Sequence, residues 1–405
     1  MLPEGAEQKI RETAPHVSKI KENMSANKWL KMMANDEKNI LASKAEAMEL
    51  LELPSPSLNW ALPLNYGLAT CFYGPEGSGK SLLSMLALGS AMSKDPEMIG
   101  VLISTEMRAP EPDRLRLLGV DPDRLIIRCA NELHDVFDWI QSEDSNFKNQ
   151  DGTKGGPGLK YLLNEGAPIR FLAIDSIKAI RGPKESNADS VTKDIMGDLS
   201  KYLNPSLKGM LPIIRKYKIL TVLVQQVNMN LDADEVKYQN KKWVIPSGQS
   251  LKHFCETMAL VEKVTSKDSK IFDESMKSIR ELPVQMGHTI RVRVDKNNLG
   301  CPNREAEFRI HYTKGYVQPG LEVGELAANL GVIFHPLNAE TGKPIVNQWQ
   351  FKDRKYVGLA TVIGELEASS DFRNEVLMEI KKLDKVELAK SIDTETGEIK
   401  PRDKK

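Results

Sequence analysis

The chain has 405 residues, and its shares of hydrophobic (40%), charged (28%) and aromatic (6%) residues are those of an ordinary globular protein. Its net charge is zero because 56 basic residues balance 56 acidic ones, so nucleic-acid binding would depend on local basic patches. The cysteines and histidines show no zinc-ligand or paired metal spacing, and no apolar run approaches the roughly 20 residues that span a membrane. We therefore expect a cytoplasmic protein with reduced thiols and no membrane partner.

The composition divides the chain into three predicted domains. Residues 1–56 are polar and helical in pattern, and Pro54 and Pro56 mark the end of this segment. Residues 57–320 alternate apolar runs with helical stretches, which predicts an α/β domain with a mostly parallel twisted sheet. Residues 321–405 combine helical stretches with a Pro-containing loop and a charged tail, which predicts a small C-terminal domain.

The middle domain contains the predicted sheet. Its strands are predicted at residues 68–73, 98–104, 169–175, 219–225, 257–261, 289–294 and 306–312. Helices are expected after the first four strands, and the closely spaced last strands are expected to be antiparallel. Residues 142–158 are Gly-rich and predict a surface insertion, and residues 228–249 form a long connection after a buried strand. Two helices are predicted further on, at residues 323–330 and around residues 372–383.

A phosphate-binding loop follows the first predicted strand. The pattern G-x-x-x-x-G-K-[ST] is matched without exception by Gly74, Pro75, Glu76, Gly77, Ser78, Gly79, Lys80 and Ser81. A strand before the loop and a helix after it supply the context that this motif requires. Backbone N–H groups of the loop and the helix N-terminus would surround the phosphates of ATP. Lys80 would reach the β- and γ-phosphates, and the Ser81 hydroxyl would hold Mg²⁺.

Two carboxylates follow neighbouring apolar strands. Asp175 ends the strand at residues 169–175 and would bring a second Mg²⁺ ligand to the sheet edge where α/β proteins bind ligands, or would simply cap the strand. Glu106 follows the strand at residues 98–104, where it can orient or deprotonate the attacking water, unless it is a solvated residue opening a loop. With the phosphate-binding loop present, the catalytic interpretation is favoured for both.

Gln225 and Gln226 end the strand that precedes the long connection. A polar amide at this position can sense the γ-phosphate, with Gln226 the favoured candidate, or can simply bond to backbone groups. The connection interleaves basic and aromatic residues, namely Lys237, Tyr238, Lys241, Lys242 and Trp243. This pattern suits contact with phosphates and stacking on bases, and equally a solvated charge run with one anchoring tryptophan. A second candidate DNA-binding segment is residues 182–197, which contains Lys184.

The order of these parts resembles that of the RecA-type recombinases, particularly the phage UvsX-like branch, from about residue 57 to residue 372. Asp175 matches the end of the family's Walker B strand, and Gln226 matches its sensor glutamine. The most discriminating part runs from residue 294 to residue 333. The resemblance implies a RecA-like P-loop ATPase core, a helical N-terminal segment for oligomerisation and a small α+β C-terminal domain.

The resemblance also implies roles for individual residues. Glu106 would activate water, while Lys80, Ser81 and Asp175 would hold MgATP. Lys296 would reach the γ-phosphate bound by a neighbouring subunit. Residues 182–197 and 228–249 would be the two DNA-binding loops. Asn298 stands where the family often has a second lysine, so slow turnover is expected.

The implied function is that of a DNA-dependent ATPase that forms filaments on single-stranded DNA. It would pair this strand with double-stranded DNA and promote strand exchange in recombination and repair. Its partners would be DNA, further copies of itself, and single-strand-binding and mediator proteins, in a bacterial host cytoplasm if a phage encodes it. Two alternatives stay open, a hexameric replicative-type helicase on the same core and a weakly hydrolysing recombination mediator.

Overall fold

A ten-stranded mixed sheet lies at the centre of the fold in this computed structural model. The structure describes residues 48–183, 198–232, 234, 237, 242–246, 248–277 and 283–390. From Glu49 onward, these residues belong to one compact unit. The helices predicted within residues 1–47 lie outside the described residues, as does the end of the charged tail.

The described strands are numbered in chain order. They are β1 (Leu50–Leu51), β2 (Leu64–Asn65), β3 (Ala69–Gly74), β4 (Ile99–Ser104), β5 (Leu125–Cys129), β6 (Phe147–Lys148), β7 (Lys154–Gly156), β8 (Ile169–Asp175), β9 (Leu220–Gln226), β10 (Asn228–Met229), β11 (Trp243–Val244), β12 (Thr257–Lys263), β13 (Lys270–Lys277), β14 (Pro283–Asn297), β15 (Glu305–His311), β16 (Gly315–Val317), β17 (Gln348–Phe351) and β18 (Arg354–Val357).

The described helices are numbered in the same way. They are α1 (Pro56–Ala61), α2 (Lys80–Lys94), α3 (Pro112–Leu117), α4 (Trp139–Gln141), α5 (Leu159–Asn164), α6 (Asp198–Lys216), α7 (Gly248–Phe254), α8 (Pro319–Asn329), α9 (Leu359–Ala368) and α10 (Ser370–Lys390). Within the described part of the chain, none of them is both long and apolar enough to cross a lipid bilayer.

The strand order of the central sheet is β16-β15-β14-β12-β3-β9-β8-β4-β5, with β13 paired to β14 beside this path. The strands from β12 to β5 are parallel to one another. Strand β14 runs antiparallel to β12 and to β15, which in turn is antiparallel to β16. The predicted α/β fold with a mostly parallel sheet and antiparallel last strands is therefore confirmed.

Helices cover both faces of the parallel strands, which is why these strands read as continuous apolar runs. One hydrophobic cluster, on the face covered by α2, includes Phe72 and Leu88. A second cluster, on the face covered by α6, includes Leu172 and Met210. This arrangement fixes the ends of β3, β4, β8 and β9 at one edge of a rigid sheet.

Every predicted strand corresponds to an observed one, but the sequence analysis missed β5, β13 and β16 of the central sheet. Strand β5 is the last in the strand order, its side chains are partly buried or exposed, and its apolar run covers only residues 125–127, between Arg124 and Arg128. The predicted insertion at residues 142–158 contains the hairpin β6–β7, and most of its side chains are exposed. The hairpin is anchored by Phe147, which is buried beside the guanidinium of Arg128.

The C-terminal part of the described chain has its own hydrophobic cluster, which includes Val323, Phe351 and Phe372. The helix predicted at residues 323–330 is α8, and the helix predicted around residues 372–383 is the longer α10. Helix α9 and the hairpin β17–β18 were missed. The proposed domain boundary at residue 321 stays a prediction.

Glu322 joins this C-terminal part to the start of the described chain. Its buried carboxylate accepts hydrogen bonds from the hydroxyls of Ser55 (2.5 Å), Ser57 (2.6 Å) and Tyr316 (2.6 Å), and from the backbone N–H of Ser57 (2.7 Å). Burial raises the pKa of Glu322, whereas these hydrogen bonds act in the opposite direction. The four donors lie in α1, its N-cap and β16, so one side chain satisfies polar groups from separate segments.

We expect Glu322→Ala to lower the free energy of unfolding by about 3 kcal/mol, because it leaves buried donors without an acceptor. Urea denaturation measures this change. The matched control is Glu340→Ala, at an exposed position in a loop, which should change the free energy by less than about 0.5 kcal/mol. Equal stability of the two variants would contradict the assigned role of Glu322.

Candidate nucleotide-binding site

The phosphate-binding loop connects the central strand β3 to helix α2. Close packing against backbone requires glycine at position 74, and close packing together with backbone conformation favours glycine at position 79. A Cβ atom on Gly74 would lie 2.1 Å from the carbonyl oxygen of Val261, and one on Gly79 would lie 2.6 Å from Cδ1 of Ile290. Gly79 also has a φ of 101°, a left-handed conformation that favours glycine. The predicted strand–loop–helix context is therefore present, with the loop held between β12, β14 and α2.

Lys80 is buried and folded over the loop. Its Nζ atom donates hydrogen bonds to the carbonyl oxygen of Pro75 (2.6 Å) and to Oγ of Ser78 (3.4 Å). Burial lowers the pKa of Lys80, and the carboxylates of Asp175, Glu76 and Glu106 act in the opposite direction. A phosphate oxygen would offer this ammonium a charged acceptor in place of neutral ones, so the loop suits an anionic ligand.

Asp175 and Ser81 lie side by side, as the sequence predicts for two Mg²⁺ ligands. Burial raises the pKa of Asp175, and the neighbouring Ser81 hydroxyl acts in the opposite direction. A hydroxyl and a carboxylate are hard oxygen ligands that Mg²⁺ accepts together with phosphate oxygens and water. Among the described residues, no group of three or more His, Cys, Asp or Glu side chains could hold a metal alone. The pair therefore fits Mg²⁺ bound with a nucleotide, where the ion would neutralise phosphate charge.

Thr105 positions Asp175, a role that no motif in the sequence indicates. Its hydroxyl accepts from the backbone N–H of Ser176 and donates to the carbonyl oxygen of the same residue, both at 2.7 Å. The backbone N–H of Thr105 also donates to the carbonyl oxygen of Asp175 (2.9 Å). These three bonds clamp the end of β8 to the end of β4.

Glu106 and Gln226 meet at the same sheet edge. Nε2 of Gln226 donates to Oε1 of Glu106 at a distance of 3.2 Å. Both side chains line a cavity of about 730 Å³ together with Lys80, Ser81 and Asp175. The structure thus brings together the side chains that the sequence predicts for MgATP binding, water activation and γ-phosphate sensing. Their catalytic roles stay predictions.

The far wall of this cavity was not found by sequence analysis. It is formed by α3 and by the edge strands β14 to β16, through residues that include Arg114, His288, His311 and Tyr312. No motif marks these residues, because they are separated from the phosphate-binding loop by hundreds of positions or by an irregular segment. The wall offers an aromatic ring and imidazoles beyond the phosphate end of the cavity.

Gln225 faces a different part of the molecule from Gln226, as expected for neighbours in a strand. Its buried Nε2 atom donates to the carbonyl oxygen of Pro246 (3.0 Å), near the end of the long connection after β9. The base of this connection is closed by the antiparallel pair β10–β11. The tip of β9 therefore contacts the nucleotide cavity through one glutamine and the returning end of the loop through the other.

The predicted DNA-contacting residues fall partly within the described chain. Lys237 and Lys242 are exposed, and Nζ of Lys242 lies 4.9 Å from the centre of the Trp243 ring. Trp243 is partly buried, and its Nε1 atom donates to Oε1 of Glu262 (2.9 Å), which favours the anchoring interpretation for this side chain. Lys184, Tyr238 and Lys241 lie outside the described residues.

Lys296 lies on the side of the sheet away from its own phosphate-binding loop. It pairs with Met258 of β12, which pairs with Cys71 of β3, about 10 Å before the strand reaches Gly74. Nζ of Lys296 donates to the carbonyl oxygens of Lys252 (2.5 Å) and Cys255 (2.6 Å) at the C-terminal end of α7. Lys296 therefore cannot serve its own nucleotide site from this position.

Asn298 lies beside Lys296 but makes a different contact. Its Nδ2 atom donates to Oε2 of Glu256 at 2.6 Å, and its backbone N–H donates to the carbonyl oxygen of Glu256. The other carboxylate oxygen of Glu256 lies 3.5 Å from Nη2 of Arg215. Asn298 adds no positive charge at this edge of the sheet.

Comparisons with known proteins point to one family. A model of the RecA N-terminal domain matches residues 150–317, a segment that contains Asp175, Gln226 and Lys296 but begins after the phosphate-binding loop. Protein RecA of Aquifex pyrophilus is 23% identical over 293 residues, which cover 71% of this chain and 72% of the relative. Protein RecA of Mycoplasma mobile is 22% identical over 298 residues, covering 73% of this chain and 78% of the relative. The domain match and these relatives support a place in the RecA family, while the UvsX-like branch stays a prediction.

Proposed function

We propose that this chain is an ATP-dependent recombinase that forms filaments on single-stranded DNA and promotes homologous pairing and strand exchange. As a RecA-type ATPase, it would hydrolyse ATP to ADP and phosphate when DNA is bound. ATP would act mainly as a switch, because a ligand shifts an equilibrium only when it binds one state more tightly than the other. Support for the family comes from the matched relatives, and support for the switch comes from the end of β9.

The observation that carries the proposal is that the consecutive residues Gln225 and Gln226 contact two different parts of the molecule. Gln226 contacts Glu106 inside the nucleotide cavity, and Gln225 contacts Pro246 at the return of the candidate DNA loop. A γ-phosphate near Gln226 competes with Glu106 for its amide and thereby pulls on the strand end that holds the loop. Nucleotide state and loop position are thus joined through two consecutive residues of one rigid strand.

The proposed chemistry assigns one task to each side chain at this edge. Lys80 stabilises negative charge on the β- and γ-phosphates, and Ser81 and Asp175 hold Mg²⁺. Glu106 orients the attacking water and accepts its proton. Thr105 holds the end of β8 in place, so that Asp175 keeps its position relative to the loop.

The proposed filament completes each nucleotide site across the subunit interface. Since Lys296 lies at the opposite edge of the sheet, a head-to-tail assembly brings it to the nucleotide of the next protomer. Head-to-tail contacts that do not close generate helical filaments. Asn298 contributes no second cation, which fits a slowly hydrolysing member of the family.

We expect strand exchange and long helical fibres when the protein is mixed with single-stranded DNA and a non-hydrolysable ATP analogue. A fluorescence strand-exchange assay and negative-stain imaging measure these two outcomes. Closed rings that unwind forked duplex would favour the helicase alternative. Isolated particles that bind ATP without DNA-stimulated phosphate release would favour the mediator alternative.

Lys80→Ala should abolish the effect of MgATP on DNA affinity, because the variant lacks the cation that binds the β- and γ-phosphates. Fluorescence anisotropy of a labelled oligonucleotide should show at least a tenfold tightening by MgATP for the unaltered protein and none for the variant, about 1.4 kcal/mol of coupling. Lys94→Ala is the matched control, since Lys94 lies exposed at the other end of the same helix. Identical DNA affinity with and without MgATP in the unaltered protein would remove the nucleotide switch.

Mixing two variants tests whether Lys296 acts across the interface. Filaments of Glu106→Gln protomers alone, or of Lys296→Ala protomers alone, should hydrolyse ATP at about 1% of the unaltered rate or less. A 1:1 mixture should recover about a quarter of the rate, because about one interface in four joins an intact Glu106 to an intact Lys296. DNA-stimulated phosphate release measures the recovery.

The matched control for this experiment is a mixture of Glu106→Gln with Lys80→Ala. Glu106 and Lys80 lie on the same side of the interface, so no interface in this mixture has a complete nucleotide site. Absence of recovery in the test mixture would place the function of Lys296 within its own protomer. Recovery in the control would instead contradict the placement of Lys80 and Glu106 at the same nucleotide site.

A further inference from the structure

His288 is a buried polar side chain without a polar partner in the described part of the chain. The residue is 8% exposed, and neither ring nitrogen has a hydrogen-bond partner among the residues that the structure describes. An unsatisfied buried donor or acceptor costs free energy, so an imidazole in this state calls for a ligand or a packing reason. His288 also lines the nucleotide cavity, so a ligand of that cavity lies within reach of the residue.

The position of His288 along the cavity is set by the register of β14. Ile290, two residues further along the same face, is the residue that packs against Gly79 of the phosphate-binding loop. On the other side of His288 lies the ring of Tyr312, with a centroid separation of 5.6 Å and an angle of 54° between the rings. Tyr312 is 43% exposed and lines the same cavity.

These residues follow the order of the parts of a nucleotide. The phosphates would lie at Gly79, which contacts Ile290 of β14. His288 lies about 7 Å from Ile290 along the same strand, and Tyr312 lies beyond His288. A nucleoside triphosphate extends in the same order from phosphates to sugar to base. An exposed aromatic ring suits the flat face of a base, which leaves the level of His288 for the sugar.

We propose that His288 binds a ribose hydroxyl of the nucleotide and thereby contributes to sugar specificity. This inference rests on the proposed function only in that a nucleotide occupies the cavity. A hydroxyl both donates and accepts, and a neutral imidazole offers one donor and one acceptor. A half-turn of the ring about the Cβ–Cγ bond exchanges each nitrogen with a carbon, so a nitrogen can be presented to the cavity within the same volume.

The charge state of the imidazole agrees with a hydroxyl ligand. Burial and the nearby ammonium of Lys263 lower the pKa of His288, so the ring is neutral at neutral pH. A phosphate oxygen would favour the protonated ring and would compete with Lys80, which lies at the other end of the cavity. A sugar hydroxyl is neutral and does not favour the protonated ring.

The test compares nucleotide affinities by calorimetry on the full chain with Mg²⁺ and without DNA. The unaltered protein should bind ATP about three- to tenfold more tightly than 2′-deoxy-ATP or 3′-deoxy-ATP, whichever lacks the bonded hydroxyl. His288→Phe should lose affinity for ATP by the same factor and should bind that deoxy analogue unchanged. His288→Asn, whose amide retains a donor and an acceptor, should restore part of the preference.

Controls separate recognition from folding. His335→Phe, which changes a histidine whose Nδ1 contacts the carbonyl oxygen of Gln348 in the C-terminal part, should keep the ratio of ATP to deoxy-ATP affinity. Thermal unfolding without nucleotide should give His288→Phe at least the stability of the unaltered protein, since the change removes an unsatisfied polar group. If His288→Phe does not fold, His288→Asn carries the comparison.

Three results would overturn the proposal. The first is equal affinity of the unaltered protein for ATP and both deoxy analogues. The second is an unchanged preference of His288→Phe for ATP over the deoxy analogue. The third is that His288→Phe keeps its sugar preference but no longer discriminates between ATP and inosine triphosphate. Because DNA is absent, a failure of the DNA switch leaves these ratios unaffected. A failure of the His288 assignment, in turn, leaves the effect of MgATP on DNA affinity intact.

Discussion

The direction of the strands is the constraint on which the candidate site depends. Strands β3, β4, β8 and β9 are parallel, so their carboxyl ends meet at one edge of the sheet. The phosphate-binding loop, Glu106, Asp175 and Gln226 each follow or end one of these strands. Strand β14 runs the other way and carries Lys296 to the opposite edge. One sheet thus presents the phosphate-binding loop at one end of its strands and Lys296 at the other, which is the complementarity that the proposed head-to-tail assembly would use.

A second consequence follows from the two-residue repeat of a strand. Because consecutive side chains point to opposite faces, Gln225 and Gln226 cannot serve the same site. One amide enters the nucleotide cavity, and the other holds the carbonyl oxygen of Pro246. Since β9 is buried between β3 and β8, a displacement at its tip moves both contacts together. The sequence analysis favoured Gln226 as a sensor but had no basis for assigning Gln225 to the loop.

The sequence predicted those features that local patterns determine. The phosphate-binding loop is a contiguous motif, and the parallel strands are buried on both faces, so each is visible in a short window. The sequence analysis missed strand β5 because an edge strand exposes side chains such as Ile126 (41% exposed), and its apolar run is only three residues long, between Arg124 and Arg128. His288 and Tyr312 escaped for a different reason. They reach the cavity only because β14 and β15 fold back beside β12. This arrangement brings His288 and Tyr312 close to the phosphate-binding loop, which lies about 200 residues earlier in the chain.

Helix α7 links the two ends of the parallel strands within one protomer, the end with the phosphate-binding loop and the end with Lys296. Its N-terminal side follows Pro246, which Gln225 holds, and its last carbonyl oxygens are held by Lys296. A cation at a helix C-terminus satisfies carbonyl groups that have no partner within the helix. In the proposed filament, Lys296 leaves these oxygens to reach a phosphate, so the helix loses one restraint when the neighbouring site is filled. In this filament, the position of the candidate DNA-binding loop before α7 would depend on two nucleotides, one bound by its own protomer and one bound by the next.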